Sequence, residues 1–224
     1  MTGIIVLDKS PGVTSARAVS MVKRLLPRGT KIGHAGTLDP FATGVLVLLI
    51  GRATRQCETI MGQPKVYETT VKLGATTASD DPESPEELVQ GAQPVDRGVI
   101  ELSLAAFRGA IEQTPPAYSA IKLGGKRACD RVRAGEDVQL KPRTVQVHRL
   151  EVLEYEWPLL RMEVECGRGT YIRSLARDIG QALGVGGYLT QLRRTRIGLY
   201  RVEDAITLQA LTAENLSQHL LAPQ

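Results

Sequence analysis

The sequence predicts an α+β fold built on a mixed, largely antiparallel central sheet flanked by helices, and three observations carry that reading. Apolar and polar residues alternate at 66–73, 145–147 and 160–166, the pattern of strands with one solvated face. An unbroken apolar run at 45–50, bounded by turn residues, has the length and setting of a strand buried on both faces. Apolar residues three or four apart, at Ala16, Val19, Val22 and Leu26 and again at Ile172, Leu175, Ile179 and Leu183, mark two helices.

Taken in order, the apolar residues 4–7 form a first strand, and DKSPGVTS is a turn ending in the helix-capping residues Thr14 and Ser15. The helix that follows runs until Pro27 stops it. A glycine-rich loop then leads into the strand at 45–50. In VYETTVKL, Tyr67 falls on the same face as Thr69, Val71 and Leu73. Residues 75–98 are acidic, weakly periodic and interrupted by Pro82, Pro85 and Pro94, which reads as a long loop or a mobile insertion. Leu104, Phe107 and Ile111 give a short helix closed by the Thr-Pro-Pro at 114–116. The basic, glycine-punctuated stretch 118–143 has few large apolar residues, so it projects from the core, with a short helix over 126–134. Two half-exposed strands follow, then the helix from Ile172, which Gly184 ends. The remainder contributes a glycine-rich turn, the basic run LRRTRIG and a last short helix.

At 224 residues the default is one elaborated domain. The net charge of +4 is mild, but its distribution is uneven. Residues 1–65 hold nine Lys and Arg against three Asp and Glu, and residues 122–201 hold sixteen against nine. Acid is concentrated at 78–103, where seven carboxylates face Arg97 alone. Two basic regions separated by an acidic one fit either an anionic partner such as nucleic acid or an ordinary charged surface. The three cysteines form no CxxC pair and the three histidines no metal-binding pattern, so neither a disulfide framework nor a metal site is expected. The short apolar run near the N-terminus lacks a basic flank, and no apolar run exceeds six residues, so neither a signal peptide nor a membrane span is expected.

One acid stands out by its setting. In GHAGTLDPFATGVLVLLIGRATR, Asp39 lies in a glycine-rich loop at the mouth of the apolar strand. Local chemistry alone makes it a turn former, since Asp before Pro initiates turns and loop aspartates bond nearby backbone. The rest of the chain changes that reading. LDKSPGVTS at 7–15, GHAGTLDPFATGVL at 33–46, VYETTVKLG at 66–74, CGRGTYIRSLARDIG at 166–180 and LRRTRIG at 192–198, in this order and spacing, resemble the TruB family of pseudouridine synthases. That family isomerises the uridine at position 55 in the T loop of transfer RNA.

The resemblance implies a pseudouridine synthase fold with RNA-gripping loops, one catalytic domain over 1–224, a projecting basic RNA-binding insertion at about 115–143, and no cofactor. It implies that Asp39 is the catalytic carboxylate, that Arg173 pairs with it and favours its charged form, and that Tyr67 stacks on the target base. Leu192 packs beside that base, Tyr171 supports the pocket, and His34 contacts RNA near the flipped nucleotide. Lys9 and Pro11 support the catalytic loop from the first motif. The uridine has to leave its stack to reach the carboxylate, at a cost of about a few kcal/mol. Lys122, Lys126, Arg127 and Arg131 on the basic segment would track the RNA backbone without reading its sequence, as would Arg133. Many family members continue into a small C-terminal RNA-binding domain of the PUA type, which is not expected here. The acidic stretch 78–98 would place negative charge near the RNA unless it folds away. The expected partner is the T arm of tRNA, met in the cytoplasm by a monomer with no obligatory protein partner. Two other readings share the basic surface: a non-catalytic RNA chaperone, and a subunit dependent on a guide RNA.

Overall fold

A computed structural model describes residues 1–223 of the chain. Its regular elements are β1 (Gly3–Lys9), α1 (Ser15–Lys23), β2 (Ile32–His34), β3 (Thr43–Ile50), α2 (Cys57–Gly62), β4 (Lys65–Leu73), β5 (Ala75–Thr77), β6 (Glu86–Leu88), α3 (Arg97–Leu104) and β7 (Gly109–Gln113). Then come β8 (Lys122–Leu123), β9 (Lys126–Arg127), α4 (Ala128–Arg133), β10 (Arg143–Glu156), β11 (Leu159–Cys166), α5 (Ile172–Ala182), β12 (Gly187–Ile197), β13 (Tyr200–Arg201) and β14 (Ile206–Thr207). The chain divides into two compact units: unit 1 comprises residues 1–68 and the segment from Gln191 onward, and unit 2 comprises residues 69–190. Strands β4 and β12 contribute residues to both.

In unit 1 the strand order is β14-β1-β3-β12-β4, with β2 against β3 and β13 against β12. Pairing is antiparallel between β1 and β3, β2 and β3, and β12 and β13; it is parallel between β1 and β14 and between β3 and β12. The apolar run of β3 is continuous because both of its faces are covered. Leu46, Leu48 and Ile50 join Ile5, Leu7, Ala18 and Val22 in one cluster, while Val45, Val47 and Leu49 join Ile4, Val6, Ile60 and Ile197 in the other. Thr14 is the N-cap of α1, its side chain accepting the Arg17 amide. Ser15 has a different task, described below.

In unit 2 the order is β12-β4-β11-β10-β7, and the β7–β10 and β10–β11 pairs are antiparallel. The alternation read at 160–166 is real: Leu160, Met162, Val164 and Cys166 are buried while Arg161, Glu163 and Glu165 are not. Helix α5 starts and stops where expected, and Gly180 lets it approach a turn closely. A Cβ there would lie 2.3 Å from the Gly186 carbonyl carbon.

Four expectations need correction. The helix expected through Ile111 ends in a 3-10 turn at Ala105–Phe107, because Gly109 takes φ +83° and starts β7, where Ile111 pairs with Val145. The stretch 75–98 is no structureless loop: β5 and β6 form an antiparallel hairpin, and α3 begins at Arg97 behind an Asp96 cap. The run LRRTRIG lies in β12, a strand inside the sheet, and Arg194 within it is 1% exposed. The last short helix is a 3-10 turn, Leu216–His219. Cys57, Cys129 and Cys166 are free thiols. Among the described residues, no helix is long and apolar enough to cross a membrane.

Candidate active site

Asp39 lies half-buried in the loop 35–42 that joins β2 to β3 in unit 1. The main chain around it is bonded on nearly every side. The Ser15 hydroxyl accepts the Leu38 amide at 2.9 Å and donates to the Leu38 carbonyl at 3.0 Å. The Pro40 carbonyl accepts Lys9 Nζ at 3.1 Å and the Gly12 amide at 2.9 Å. The Asp39 carbonyl accepts the Ala42 amide at 3.2 Å, and the Ala35 amide donates to Val47 at 2.9 Å. Lys9 is fully buried and donates further to the Ser10 and Val13 carbonyls, so the first motif does support the loop that holds Asp39. A loop whose main chain is fixed in this way holds its side chains in place.

The other candidates of unit 1 sit on neighbouring strands. Thr43 and Gly44, where the loop enters β3, pair with Arg193 and Arg194 of β12, and Leu192 precedes them at 7% exposed. Tyr67, also 7% exposed, lies on β4 beside Val66, whose carbonyl accepts the Thr195 hydroxyl of β12 at 3.3 Å. His34 ends β2 opposite Leu48. Burial, and next the positive charge of Arg194, hold its imidazole below the ordinary range, which favours the neutral ring. Arg193 forms an ion pair with Asp8 at 2.8 Å.

Unit 2 carries Tyr171 and Arg173 at the start of α5. Gln113 clamps the Tyr171 main chain, its amide donating to the carbonyl at 3.0 Å while its oxygen accepts the amide at 2.8 Å. The Arg143 guanidinium lies over the Tyr171 ring, 5.1 Å from the centroid. Arg173 is 4% exposed and donates to Asp81 Oδ2 at 3.1 Å and to the carbonyls of Ser79 and Tyr118 at 3.0 and 2.9 Å. One turn on, Arg177 meets Asp80 at 3.0 Å and the Thr114 carbonyl at 2.9 Å. Burial raises the Asp80 carboxyl to about 6 despite Arg177 and Arg173 nearby, and its backbone takes φ +58°. The charges of Asp80 and Asp81 are thus turned inward onto arginines, which meets the condition that this part of the acidic stretch fold away.

The basic segment is partly self-satisfied. Arg127 pairs with Asp130 at 2.8 Å, and Arg131 pairs with Glu136 at 2.7 Å while donating to the Leu123 carbonyl. Lys122 and Lys126, facing each other's strands in the β8–β9 hairpin, are exposed. The residues that sequence reasoning missed are Arg194, Asp80 and Asp81. Arg194 shares the buried parity of Leu192 on β12, a signal that charge alone concealed.

Sheet, loop and motif order together define a pseudouridylate synthase, and comparison with known proteins agrees. The model of the TruB family pseudouridylate synthase N-terminal domain matches residues 23–172, and that of the tRNA pseudouridylate synthase B C-terminal domain matches residues 173–222. The chain belongs to the TruB family. It is 48% identical over 221 residues to the tRNA pseudouridine synthase B of Arthrobacter sp. (strain FB24), covering 96% of this chain and 72% of that protein. It is also 48% identical over 214 residues to the protein of the same name from Corynebacterium aurimucosum, covering 94% and 72%. A solved structure described as a Cbf5-Nop10-Gar1 complex superposes with a TM-score of 0.74 at 34% identity, over 96% of this chain and 54% of that one.

Proposed function

We propose that this chain isomerises uridine to pseudouridine in the T loop of tRNA, at position 55, with Asp39 as the catalytic carboxylate. The observation that carries the reading is the loop 35–42, whose main chain is bonded by Ser15, Lys9 and Gly12 on both sides of Asp39. In the reaction the bond from C1' of the ribose to N1 of the base breaks and a bond from C1' to C5 forms. The C5 proton is lost and N1 gains one, so the product is an isomer, with no redox change and no water consumed. Such a reaction calls for a carboxylate acting as nucleophile or base, and for no cofactor.

Tyr67 stacks on the extruded base and Leu192 packs beside it. Arg173 supplies the guanidinium that favours an ionised carboxylate, Tyr171 supports the pocket, and a neutral His34 contacts the RNA near the flipped nucleotide. Lys122 and Lys126, with Arg127 and Arg131, meet RNA phosphates. The protein acts in the cytoplasm as a monomer. Higher identity to the bacterial tRNA enzymes than to the Cbf5 complex supports a subunit that needs neither guide RNA nor partner proteins. The test is incubation of purified protein with an unmodified T-arm stem-loop, followed by chemical detection of pseudouridine. Conversion is expected; binding without conversion would favour a chaperone instead.

A further inference from the structure

We propose that Arg194 is a positioning residue for this reaction: its buried guanidinium fixes both ends of the loop 35–42 and so sets the place of the Asp39 carboxylate. The inference rests on the functional reading above. Arg194 Nε donates to the Val45 carbonyl at 2.8 Å, Nη2 to Gly36 at 3.0 Å and Nη1 to Thr37 at 3.4 Å. Gly36 and Thr37 precede Asp39, and Val45 follows it on β3. One planar group therefore ties the chain entering the loop to the chain leaving it.

The residue type suits that task. A guanidinium presents donors in a fixed plane and can serve carbonyls on two separate stretches at once, whereas an ammonium is a single point on a flexible stem. Packing alone does not explain an arginine here. The site lies on the buried face of β12, where an apolar side chain would fill the space without the cost of desolvating a charge. What an apolar side chain could not do is donate to those three carbonyls. Gly44 brings the two strands close enough for this. It takes φ +98°, and a Cβ on it would lie 2.2 Å from the Arg194 carbonyl oxygen.

Arg194→Lys tests the proposal, since it keeps the charge and removes the fork. Three quantities are measured: the single-turnover rate of pseudouridine formation on the T-arm stem-loop, the Kd for that RNA, and amide hydrogen exchange. The rate is expected to fall about 10- to 100-fold with Kd changed by less than about threefold, as for a displaced reacting group. Exchange at Leu38 and Ala42 should accelerate while the amides of β1 and α1 keep their protection. Unchanged rate and exchange would overturn the proposal, and so would a rate loss accompanied by faster exchange throughout β1 and α1, which is the signature of general loosening. Should the variant not fold, the wild type decides. The Ala35, Leu38 and Ala42 amides must then be as protected as those of β3, and exchange at the rate of an exposed segment overturns the idea. If wild-type protein makes no pseudouridine, the functional reading fails, while the exchange data still report whether the loop is anchored.

Discussion

The loop around Asp39 in unit 1 and the segment 77–81 in unit 2 are both pinned by cations, but with a different mix of acceptors. Lys9 and Arg194 donate to main-chain carbonyls, whereas Arg173 and Arg177 meet the carboxylates of Asp81 and Asp80 as well as the carbonyls of Ser79, Tyr118 and Thr114. Carbonyl oxygens do not titrate. Those bonds to the loop therefore do not depend on the protonation of an acceptor. The segment 77–81 is tied in addition to the protonation of Asp80, which, raised to about 6, titrates within reach of physiological pH.

The largest effect expected from this contrast is chemical. Asp39→Asn removes the proposed nucleophile or base, so turnover should be lost while RNA affinity stays within a few-fold. Residual activity above a few percent of wild type would contradict the role given to Asp39. Next in size is Gly44→Ala, which forces a Cβ against the Arg194 main chain at a positive φ. Unfolding by urea should show unit 1 weakened by roughly 3 kcal/mol or more. A near-neutral effect would mean that β3 and β12 can separate without consequence.

Asp80→Asn sharpens the other side of the comparison. The folded pKa of Asp80, about 6, lies above its ordinary 3.8, so its contribution to stability is fully present below about 4 and is lost as pH rises through about 6. Asparagine accepts the left-handed backbone at this position and does not titrate. Between pH 4 and 7.5 the stability difference should shift in favour of the variant by about 1 to 3 kcal/mol, read from denaturation midpoints. A parallel pH dependence of the two proteins would remove Asp80 as the titrating anchor. The smallest effect belongs to the basic segment. Neutralising Lys126, Arg127 and Arg131 together should make the salt dependence of RNA binding shallower, by about 0.7 to 0.9 log units for each phosphate contact removed. Fewer than three contacts are expected to be lost, because Arg127 and Arg131 already pair with acids.

The same contrast explains what the sequence revealed. Strands β1 and β3 were legible because they bury apolar side chains on both faces, which leaves an unbroken apolar run. The alternating strands and α5 were legible from period alone. β12 was not, since its buried series includes Arg194, and a fully buried arginine reads as surface charge until its carbonyl partners are known. The hairpin β5–β6 was hidden in the same way, because Asp80 and Asp81 look solvated in a stretch rich in acid and proline, yet both face arginines. Ser15 was read as a cap on its position beside Thr14, and its bonds to Leu38 depend on a contact 23 residues away along the chain. Asp39 was singled out through the motif that surrounds it, while the bonds to its loop required the fold.

The proposed role of a rigidly held Asp39 is one chemical step at one place in tRNA. The most direct measurement is to treat a whole, unmodified tRNA transcript with the wild-type protein and map pseudouridine at single-nucleotide resolution. One modified uridine is expected, at position 55 in the T loop. Modification spread over several uridines, or confined to a site outside that loop, would contradict it.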